Sequence, residues 1–183
     1  IGHSGPSANR QTPHRTPEDP PLRDPAAYHQ TDHFRKRLYQ QGRYVSVPIV
    51  KQAIAEGQLR WNNSDGWRFA LVKDGIEYVI VVSDTETHSP VIVTGWTAVD
   101  DWETALNSDQ WAQQDVQTIQ LRADLSVKRE EQVPNKIRPR IVSRPFELGN
   151  HRIVTKAGSP AVSCVECGRQ FRSKAKLCER KCR

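Results

Sequence analysis

All four cysteines of the 183-residue chain lie within its last twenty residues. They form two pairs: a C-x2-C pair followed at once by a glycine, and a C-x3-C pair ten residues further on. Zinc prefers four soft ligands in a tetrahedron, and a C-x2-C turn supplies two of them. A four-residue step returns to the same face of a helix, so a short helix would supply the other two. The spacing predicts a Zn²⁺ site formed by Cys164, Cys167, Cys178 and Cys182.

The same tail holds seven basic residues against two acidic ones. Because so short a segment cannot bury a core, a metal would have to organise it. Disulfides or free thiols are the alternative, but paired short spacings without a secretory signal favour metal. Residues 161–183 are therefore predicted to form a four-cysteine zinc finger with a cationic surface for phosphates. The nucleic-acid-binding candidates in it are Arg169, Arg172, Lys174, Lys176, Arg180 and Lys181.

The net charge of +6 is distributed unevenly along the chain. Residues 100–125 hold six acids and one arginine, whereas residues 128–156 hold eight bases and three acids. Such asymmetry is typical of a protein with an anionic partner, most often nucleic acid. Arginine outnumbers lysine by 18 to 9, which favours forked contacts to phosphate. A solubilising role for the basic segments is the alternative.

Residues 127–160 contain four prolines, of which Pro134, Pro139 and Pro145 would interrupt any helix, and arginines recur beside single hydrophobic residues. Two interpretations fit and are compatible. One is a basic strap or linker laid along phosphates, and the other is a β-hairpin that turns at Gly149 and Asn150. The phosphate-binding candidates are Arg138, Arg140, Arg144 and Arg152.

Residues 1–30 form a proline-rich arm, since half of the twelve prolines fall before residue 28 and aliphatic residues are scarce. No core can form there, so we expect an extended segment, which is either a disordered linker or an arm that becomes ordered along RNA. The chain contains no methionine and opens at Ile1, so we expect the true start to lie upstream.

Residues 31–126 carry the globular pattern. Apolar residues at helical spacing predict a helix that begins near Thr31 or Asp32, and a second that runs from Ser46 to Gly57. The period then changes to two over WRFALV, IEYVIVV and SPVIVTGW, with Asp-Gly as a hairpin turn between the first two. An α+β fold follows, with two N-terminal helices packed on a small antiparallel sheet. Residues 100–125 add a short helix, a second helix and a closing stretch, with acids on a solvated face or, alternatively, in a metal-binding or protein-binding patch.

The order of four stretches resembles the RelE/ParE-like superfamily, closest to its BrnT-like branch, over about residues 31–97: TDHFRKRL, GRYVSVPIVKQAIAEG, WRFALVKDGIEYVIVV and SPVIVTGW. The resemblance implies a fold used by toxins that cleave mRNA on the ribosome, by toxins of other targets and by non-toxic relatives. It also implies a neutralising acidic protein partner if the chain is a toxin. By analogy the positions facing RNA would be His33, Arg37, Arg43, Arg60, Arg68 and Trp96.

A ribonuclease would need a base for the 2′-hydroxyl, an acid for the leaving oxygen and cations for the developing charge. His33 could be the base or the acid, Arg37 lies four residues on and so on the same helical face, and Arg68 could clamp phosphate. Such an enzyme would be a metal-independent endoribonuclease. One histidine and a few arginines also occur in many binding proteins, so binding is the function we predict.

No run of 18 apolar residues and no apolar leader is present, so we expect a cytoplasmic protein without a membrane span. An arm, a strap and a zinc finger on a small basic domain are typical of proteins that dock on folded RNA. We therefore predict an RNA-binding, ribosome-associated protein whose partners are ribosomal RNA and ribosomal proteins. The alternatives are a RelE-like ribonuclease toxin and a DNA-binding regulator.

Overall fold

A computed structural model describes residues 20–40, 43–62, 66–85, 87–126, 142–155 and 161–182. Most of the predicted arm lies outside these ranges, as do Arg138 and Arg140 of the strap. None of the described helices is both long enough and apolar enough to cross a bilayer.

The described chain has an α+β architecture with two sheets. Its helices are α1 (Asp32–Tyr39), α2 (Val47–Glu56), α3 (Trp102–Asn107), α4 (Gln113–Ser126) and α5 (Lys174–Glu179). Its strands are β1 (His29–Gln30), β2 (Gln58–Asn62), β3 (Gly66–Lys73), β4 (Ile76–Ser83), β5 (Val91–Val99), β6 (Phe146–Leu148), β7 (His151–Thr155), β8 (Val162–Cys164) and β9 (Gln170–Phe171). We call residues 20–126 the sheet region and residues 142–182 the C-terminal module.

The first sheet has the order β1-β5-β4-β3-β2. Strands β2 to β5 are antiparallel neighbours, and the three predicted strands are β3, β4 and β5. The two-residue strand β1 pairs in parallel with the start of β5, which makes the sheet mixed rather than antiparallel throughout. A strand this short has no periodicity of its own, so the sequence pattern did not indicate it.

Local chemistry explains where the elements of the sheet region begin and turn. The Thr31 side chain caps α1 by accepting a hydrogen bond from the backbone N–H of Phe34 at 3.1 Å. The predicted hairpin turn joins β3 to β4 at Asp74 and Gly75, whose φ angles of 52° and 77° suit a left-handed two-residue turn. Both features follow directly from the residue types.

Alternate side chains of β3, β4 and β5 point to one face of this sheet, and helices cover that face. One end carries α1 and α2 over a core that includes Phe34, Ile54, Phe69 and Ile80. The other end carries α3 and α4 over a core that includes Ile76, Tyr78, Ala105, Val116 and Ile119. The second predicted helix and the closing stretch after it are one continuous helix, α4, because no glycine or proline interrupts residues 113–126.

The C-terminal module forms the second sheet, in the order β6-β7-β8-β9, with α5 beside it. The hairpin interpretation of the strap is correct here: β6 pairs with β7 across Gly149 and Asn150, whose φ angles are 55° and 68°. Strand β8 pairs with β7, so the hairpin and the cysteine-bearing tail belong to one sheet. Leu121 and Leu125 of α4 join the core of this module and dock it on the sheet region.

Candidate metal centre and cationic cleft

Four side chains of the C-terminal module converge closely enough to hold a metal ion: His151, Cys164, Cys167 and Cys182. Their ligand atoms all lie within 4.8 Å of one another. None of the four cysteines of the chain is in a disulfide. Three thiolates and one imidazole form a ligand set of the kind that structural zinc sites use.

Two of these cysteines sit on a tight turn that follows β8. The N–H of Gly168 donates to the carbonyl oxygen of Cys164 at 3.0 Å, and the N–H of Cys164 donates to the carbonyl oxygen of Arg169 at 2.9 Å. Gly168 has a φ of 71°, a conformation that glycine adopts without strain. The turn therefore directs Cys164 and Cys167 towards the same point, as the C-x2-C-Gly pattern predicted.

His151 is fully buried at the first position of β7. Its Nε2 lies 2.7 Å from the carbonyl oxygen of Arg180, so Nε2 carries the proton and donates it. The lone pair then resides on Nδ1, which lies 3.5 Å from the Sγ of Cys167. A hydrogen bond from the second ring nitrogen to a carbonyl is the usual way in which a metal-ligating histidine is oriented. His151 is thus held in the tautomer that a metal requires.

Two of the distances between ligand atoms match the edges of a tetrahedral zinc site. With Zn–S bonds of about 2.3 Å and a Zn–N bond of about 2.0 Å, a tetrahedron has S–S edges of about 3.8 Å and S–N edges of about 3.5 Å. The Sγ atoms of Cys164 and Cys182 are 3.6 Å apart, and the contact from Cys167 to His151 is 3.5 Å. The donor set and its spacing both suit Zn²⁺.

The thiols of this cluster ionise unequally. Burial opposes ionisation of Cys164, but backbone N–H groups of Cys167 and Glu166 lower its pKa to about 6. Loss of hydration, together with hydrogen bonds to the neighbouring thiols of Cys164 and Cys167, raises the pKa of Cys182 to about 12. Crowded sulfurs share protons in this way, and a bound dication would replace those protons and hold the ligands as thiolates.

Cys178, the remaining predicted ligand, lies outside this group and is exposed. The prediction assumed that Cys178 and Cys182 share one helical face, but α5 ends at Glu179 and the chain continues in an extended conformation. Cys182 is therefore carried to the metal cluster, while the Sγ of Cys178 packs against Gly149. His151 takes the fourth position, so the group that the structure brings together is not the predicted set of four cysteines.

The sequence does contain a signal for His151 that spacing of cysteines alone misses. It precedes the C-x2-C pair by 13 residues and directly follows a Gly-Asn hairpin turn. A histidine at the start of the second strand of a hairpin can face a knuckle on the next strand, since β7 pairs with β8. Only that pairing shows that it does.

A second feature is a cleft of about 510 Å³ where the C-terminal module meets the sheet region. Four cations line it: Arg37 from α1, Arg43 from the segment before α2, Arg122 from α4 and Lys174 from α5. The rest of its lining consists of Thr94, Trp96, Thr97, Ala98, Ala123, Ser126 and Leu148. None of the described residues that line it is acidic.

Each of these cations makes it less favourable for its neighbours to be protonated. Burial and then the charges of Arg43 and Arg37 lower the pKa of Arg122 to about 9. Burial and Arg37 lower the pKa of Arg43 to about 10. Lys174 also has a lowered pKa, through burial and the charge of Arg43. The cleft is therefore a region of strongly positive potential.

The residues proposed for catalysis are only partly brought together. Arg37 donates from Nε to the Nε2 of His33 at 3.2 Å, so the predicted pair on one helical face is present. His33 is exposed beside the cleft, and partial loss of hydration, followed by the charges of Arg37, Arg43 and Lys36, lowers its pKa. Arg68 lies over the ring of Trp96 at 5.7 Å and does not line the cleft.

The remaining predicted nucleic-acid-binding residues differ in their surroundings. Arg60 forms an ion pair with Glu77 at 3.1 Å, and Arg144 forms one with Asp115 at 2.5 Å, so both have intramolecular partners. Arg152 is half-buried on β7. In the tail, the exposed cations are Arg169, Arg172, Lys176, Arg180 and Lys181.

Acidic residues gather elsewhere, around the start of α3. Asp74, Asp101, Glu103 and Asp109 line a separate cleft there. Asp101 caps α3 by accepting from the N–H of Thr104 at 3.1 Å, and this hydrogen bond lowers its pKa. At least one of these carboxylates therefore has a structural role as the N-cap of α3.

No family model, no curated protein and no solved structure matches this chain. The resemblance to the RelE/ParE-like superfamily therefore stays a prediction. The metal centre and the cationic cleft are the features from which a function can be argued.

Proposed function

We propose that the protein binds RNA, with ribosomal RNA as its partner, through a C-terminal module that Zn²⁺ holds together. The observation that carries this proposal is the metal cluster itself, because it ties β7, the knuckle and the end of the tail into one unit. Residues 142–182 contain nine basic and three acidic residues, so the unit that the metal would order is cationic.

The distribution of those cations supports contact with a phosphate backbone. The exposed side chains of Arg169, Arg172 and Lys176 lie on the knuckle, after β9 and on α5, so they extend over the whole outer part of the module. Cations spread in this way neutralise phosphates and give affinity without sequence readout. Metal-stapled basic modules of this size suit folded RNA, in which phosphates approach from several directions.

Salt dependence of binding tests the proposal. The triple variant Arg169→Gln, Arg172→Gln, Lys176→Gln should bind ribosomal RNA more weakly. Its plot of log K against log salt should also be less steep by about 2 to 3, since each phosphate contact contributes about 0.7–0.9 to the steepness. The matched control is Arg35→Gln, Lys51→Gln, Lys73→Gln, which removes three exposed cations from the sheet region. Equal slopes for the two triple variants would contradict the proposal.

Sedimentation of cell extract on a sucrose gradient, with and without ribonuclease, tests the ribosomal partner. Co-migration with a ribosomal particle that is lost after ribonuclease supports it, and protein that stays at the top in both gradients refutes it. Stronger binding to a defined DNA duplex than to ribosomal RNA in salt-matched competition would support the DNA-binding alternative.

A ribonuclease is the second candidate, favoured by the contact between His33 and Arg37 beside the cleft. The lowered pKa favours the neutral imidazole, whose acceptor nitrogen Nε2 receives the hydrogen bond from Arg37. To accept a proton from a 2′-hydroxyl, Nε2 would have to exchange that hydrogen bond for one from the substrate. Loss of RNA cleavage in His33→Ala with RNA binding retained would support this candidate. Intact RNA after incubation with the unmodified protein would refute it.

A further inference from the structure

Two of the four cations of the cleft, Arg37 and Arg43, donate their side-chain hydrogen bonds to uncharged groups. Arg43 is only 7% exposed, and it donates to the side-chain oxygen of Gln40 and the carbonyl oxygen of Gly95. Arg37 donates to the same Gln40 oxygen at 2.9 Å and to His33. All of these acceptors are neutral. Desolvated cations that face one another are costly to maintain unless an anion compensates them.

The same cleft also assembles only when the whole described chain is folded. Its four cations come from α1, the segment before α2, α4 and α5, so the distance along the chain from the first to the last is more than 130 residues, from Arg37 to Lys174. Arg122 donates to the carbonyl oxygen of Glu147 and lies 5.2 Å from the centre of the Phe146 ring, so it also joins α4 to the C-terminal module. Convergence of like charges across two regions opposes folding and indicates a ligand site.

The walls of the cleft suit a ligand larger than a bare ion. Its volume of about 510 Å³ is in the range of small-molecule sites. The cleft lies along the outer edge of β5, past the two residues that pair with β1. Thr97 on one face of the sheet and Trp96 on the other face therefore both line it. The hydroxyl group of Thr94 adds a further donor, whereas that of Ser126 donates to the carbonyl oxygen of Arg122 at 3.0 Å. Charge, hydroxyls and an aromatic ring are thus combined in one concave site.

We propose that this cleft binds a phosphate monoester, with Arg37, Arg43, Arg122 and Lys174 around the phosphate and Trp96 beside the group that the phosphate is attached to. Arginine forks match phosphate oxygens in pairs. A monoester carries a charge of about −1.5 to −2 at pH 7, against −1 for a diester within a chain, and therefore suits four cations better. A free nucleotide and the 5′-phosphorylated end of an RNA strand share this chemistry.

The site is separate from the exposed cations assigned to ribosomal RNA binding, so the inference does not depend on the proposed function. The four residues of the cleft are not those of the triple variant above, and one property can fail while the other holds. Binding of AMP with no binding of ribosomal RNA would overturn only the proposed function. Binding of ribosomal RNA without discrimination of phosphorylated ligands would overturn only the present proposal.

Calorimetric titration of the full metal-loaded chain with AMP, adenosine and inorganic phosphate tests the site. We expect AMP to bind at least about tenfold more tightly than adenosine, since a charge-assisted contact to phosphate contributes a factor of this size. Inorganic phosphate should compete with AMP. A short RNA oligonucleotide with and without a 5′-phosphate then distinguishes the two sources of the monoester: a preference for the phosphorylated strand over AMP assigns the RNA end, and the reverse assigns the free nucleotide.

Two variants and a matched control connect the ligand to the cleft. Lys174→Gln and Arg37→Gln should each weaken AMP binding by about tenfold or more. Arg35→Gln makes the same chemical change two residues away on an exposed part of α1 and should leave it within about twofold. Equal affinity for AMP and adenosine would overturn the proposal, and so would AMP binding that both cleft variants leave unchanged. Tryptophan circular dichroism confirms that the sheet region of each variant is folded, and amide exchange of β6 to β9 does the same for the C-terminal module. Because Lys174 is half-buried in α5, Arg37→Gln keeps the test decisive if Lys174→Gln does not fold.

Discussion

The sheet region buries apolar side chains in one cluster of eleven residues and another of five, whereas the C-terminal module has a single cluster that includes a cysteine and borrows two leucines from α4. The sheet region can therefore be ordered by hydrophobic burial, which grows with the size of a domain. The C-terminal module is smaller, and a metal ion bound at its cluster would add to its stability. The comparison indicates that one chain combines two sources of stability, and that these can be removed separately.

Helix α4 is where the two regions depend on each other. Its Val116 and Ile119 pack on the first sheet, and its Leu121 and Leu125 pack in the C-terminal module. Arg144 of the module also pairs with Asp115 of the same helix. The module is thus docked on the sheet region rather than tethered to it, and the cationic cleft exists at this junction.

The largest effect should come from removing a metal ligand. Cys167→Ser or His151→Asn should abolish retention of one equivalent of Zn²⁺, and chelation should do the same, since structural zinc contributes about 10–16 kcal/mol to folding in finger peptides. Amide hydrogens of β6 to β9 should then lose protection from exchange. All five tryptophans lie between residues 61 and 111, so their near-ultraviolet circular dichroism should persist.

Cys178→Ser is the matched control, because this thiol lies outside the cluster. It should retain the full metal content by elemental analysis. Loss of metal in Cys178→Ser with retention in His151→Asn would contradict the assigned ligand set and restore the four-cysteine prediction.

A substitution in the hydrophobic core should weaken the sheet region and not the metal cluster. Phe69→Ala removes a fully buried ring from β3 and should lower the free energy of unfolding of the sheet region by about 3–5 kcal/mol. Urea unfolding followed by tryptophan fluorescence measures it. Val72→Ala on the same strand is half exposed and should cost less than about 0.5 kcal/mol. If Phe69→Ala released the metal before the tryptophan signal changed, the two sources of stability would not be separate.

A glycine in the hairpin turn tests packing within the C-terminal module. Gly149→Ala places a Cβ at 2.4 Å from the Cδ2 of Leu177 and 2.9 Å from the Sγ of Cys178, at a φ of 55°, and should destabilise the module by about 1–3 kcal/mol. Gly168→Ala has the same backbone strain without a steric clash, since nothing lies within 4 Å of the added atom. Amide exchange of β6 and β7 should therefore be faster in Gly149→Ala, and equal rates in the two variants would exclude the clash.

The smallest expected effect concerns a helix cap of the sheet region. Thr31→Ala removes the hydrogen bond from the N–H of Phe34 and the one that the Thr31 hydroxyl donates to the carbonyl oxygen of Ile92, and should cost about 1–2 kcal/mol. Ser46→Ala is the control, because Ser46 occupies the same position before α2 without a side-chain cap hydrogen bond. Thermal unfolding followed by circular dichroism should give a lower midpoint for Thr31→Ala, and equal midpoints would show that the cap contributes little.

Local patterns predicted most of the sheet region. The starts of α1 and α2, the Asp-Gly turn and the alternation in β3 and β4 each depend on neighbouring residues, and the structure confirms them. The parallel strand β1 was missed because two residues carry no period. The continuous α4 was divided because its burial on several sides hides the amphipathic pattern.

The sequence alone determined that the cysteines suit a metal, that Gly168 completes a knuckle and that the C-terminal part is cationic, because residue type, short spacing and charge need no fold to be known. Tertiary structure decided which side chains meet. The end of α5 at Glu179 separates Cys178 from Cys182, and the pairing of β7 with β8 brings His151 in its place. The cationic cleft also depends on the fold, because Arg37 and Lys174 are distant in the chain and become neighbours only when the C-terminal module docks on α4.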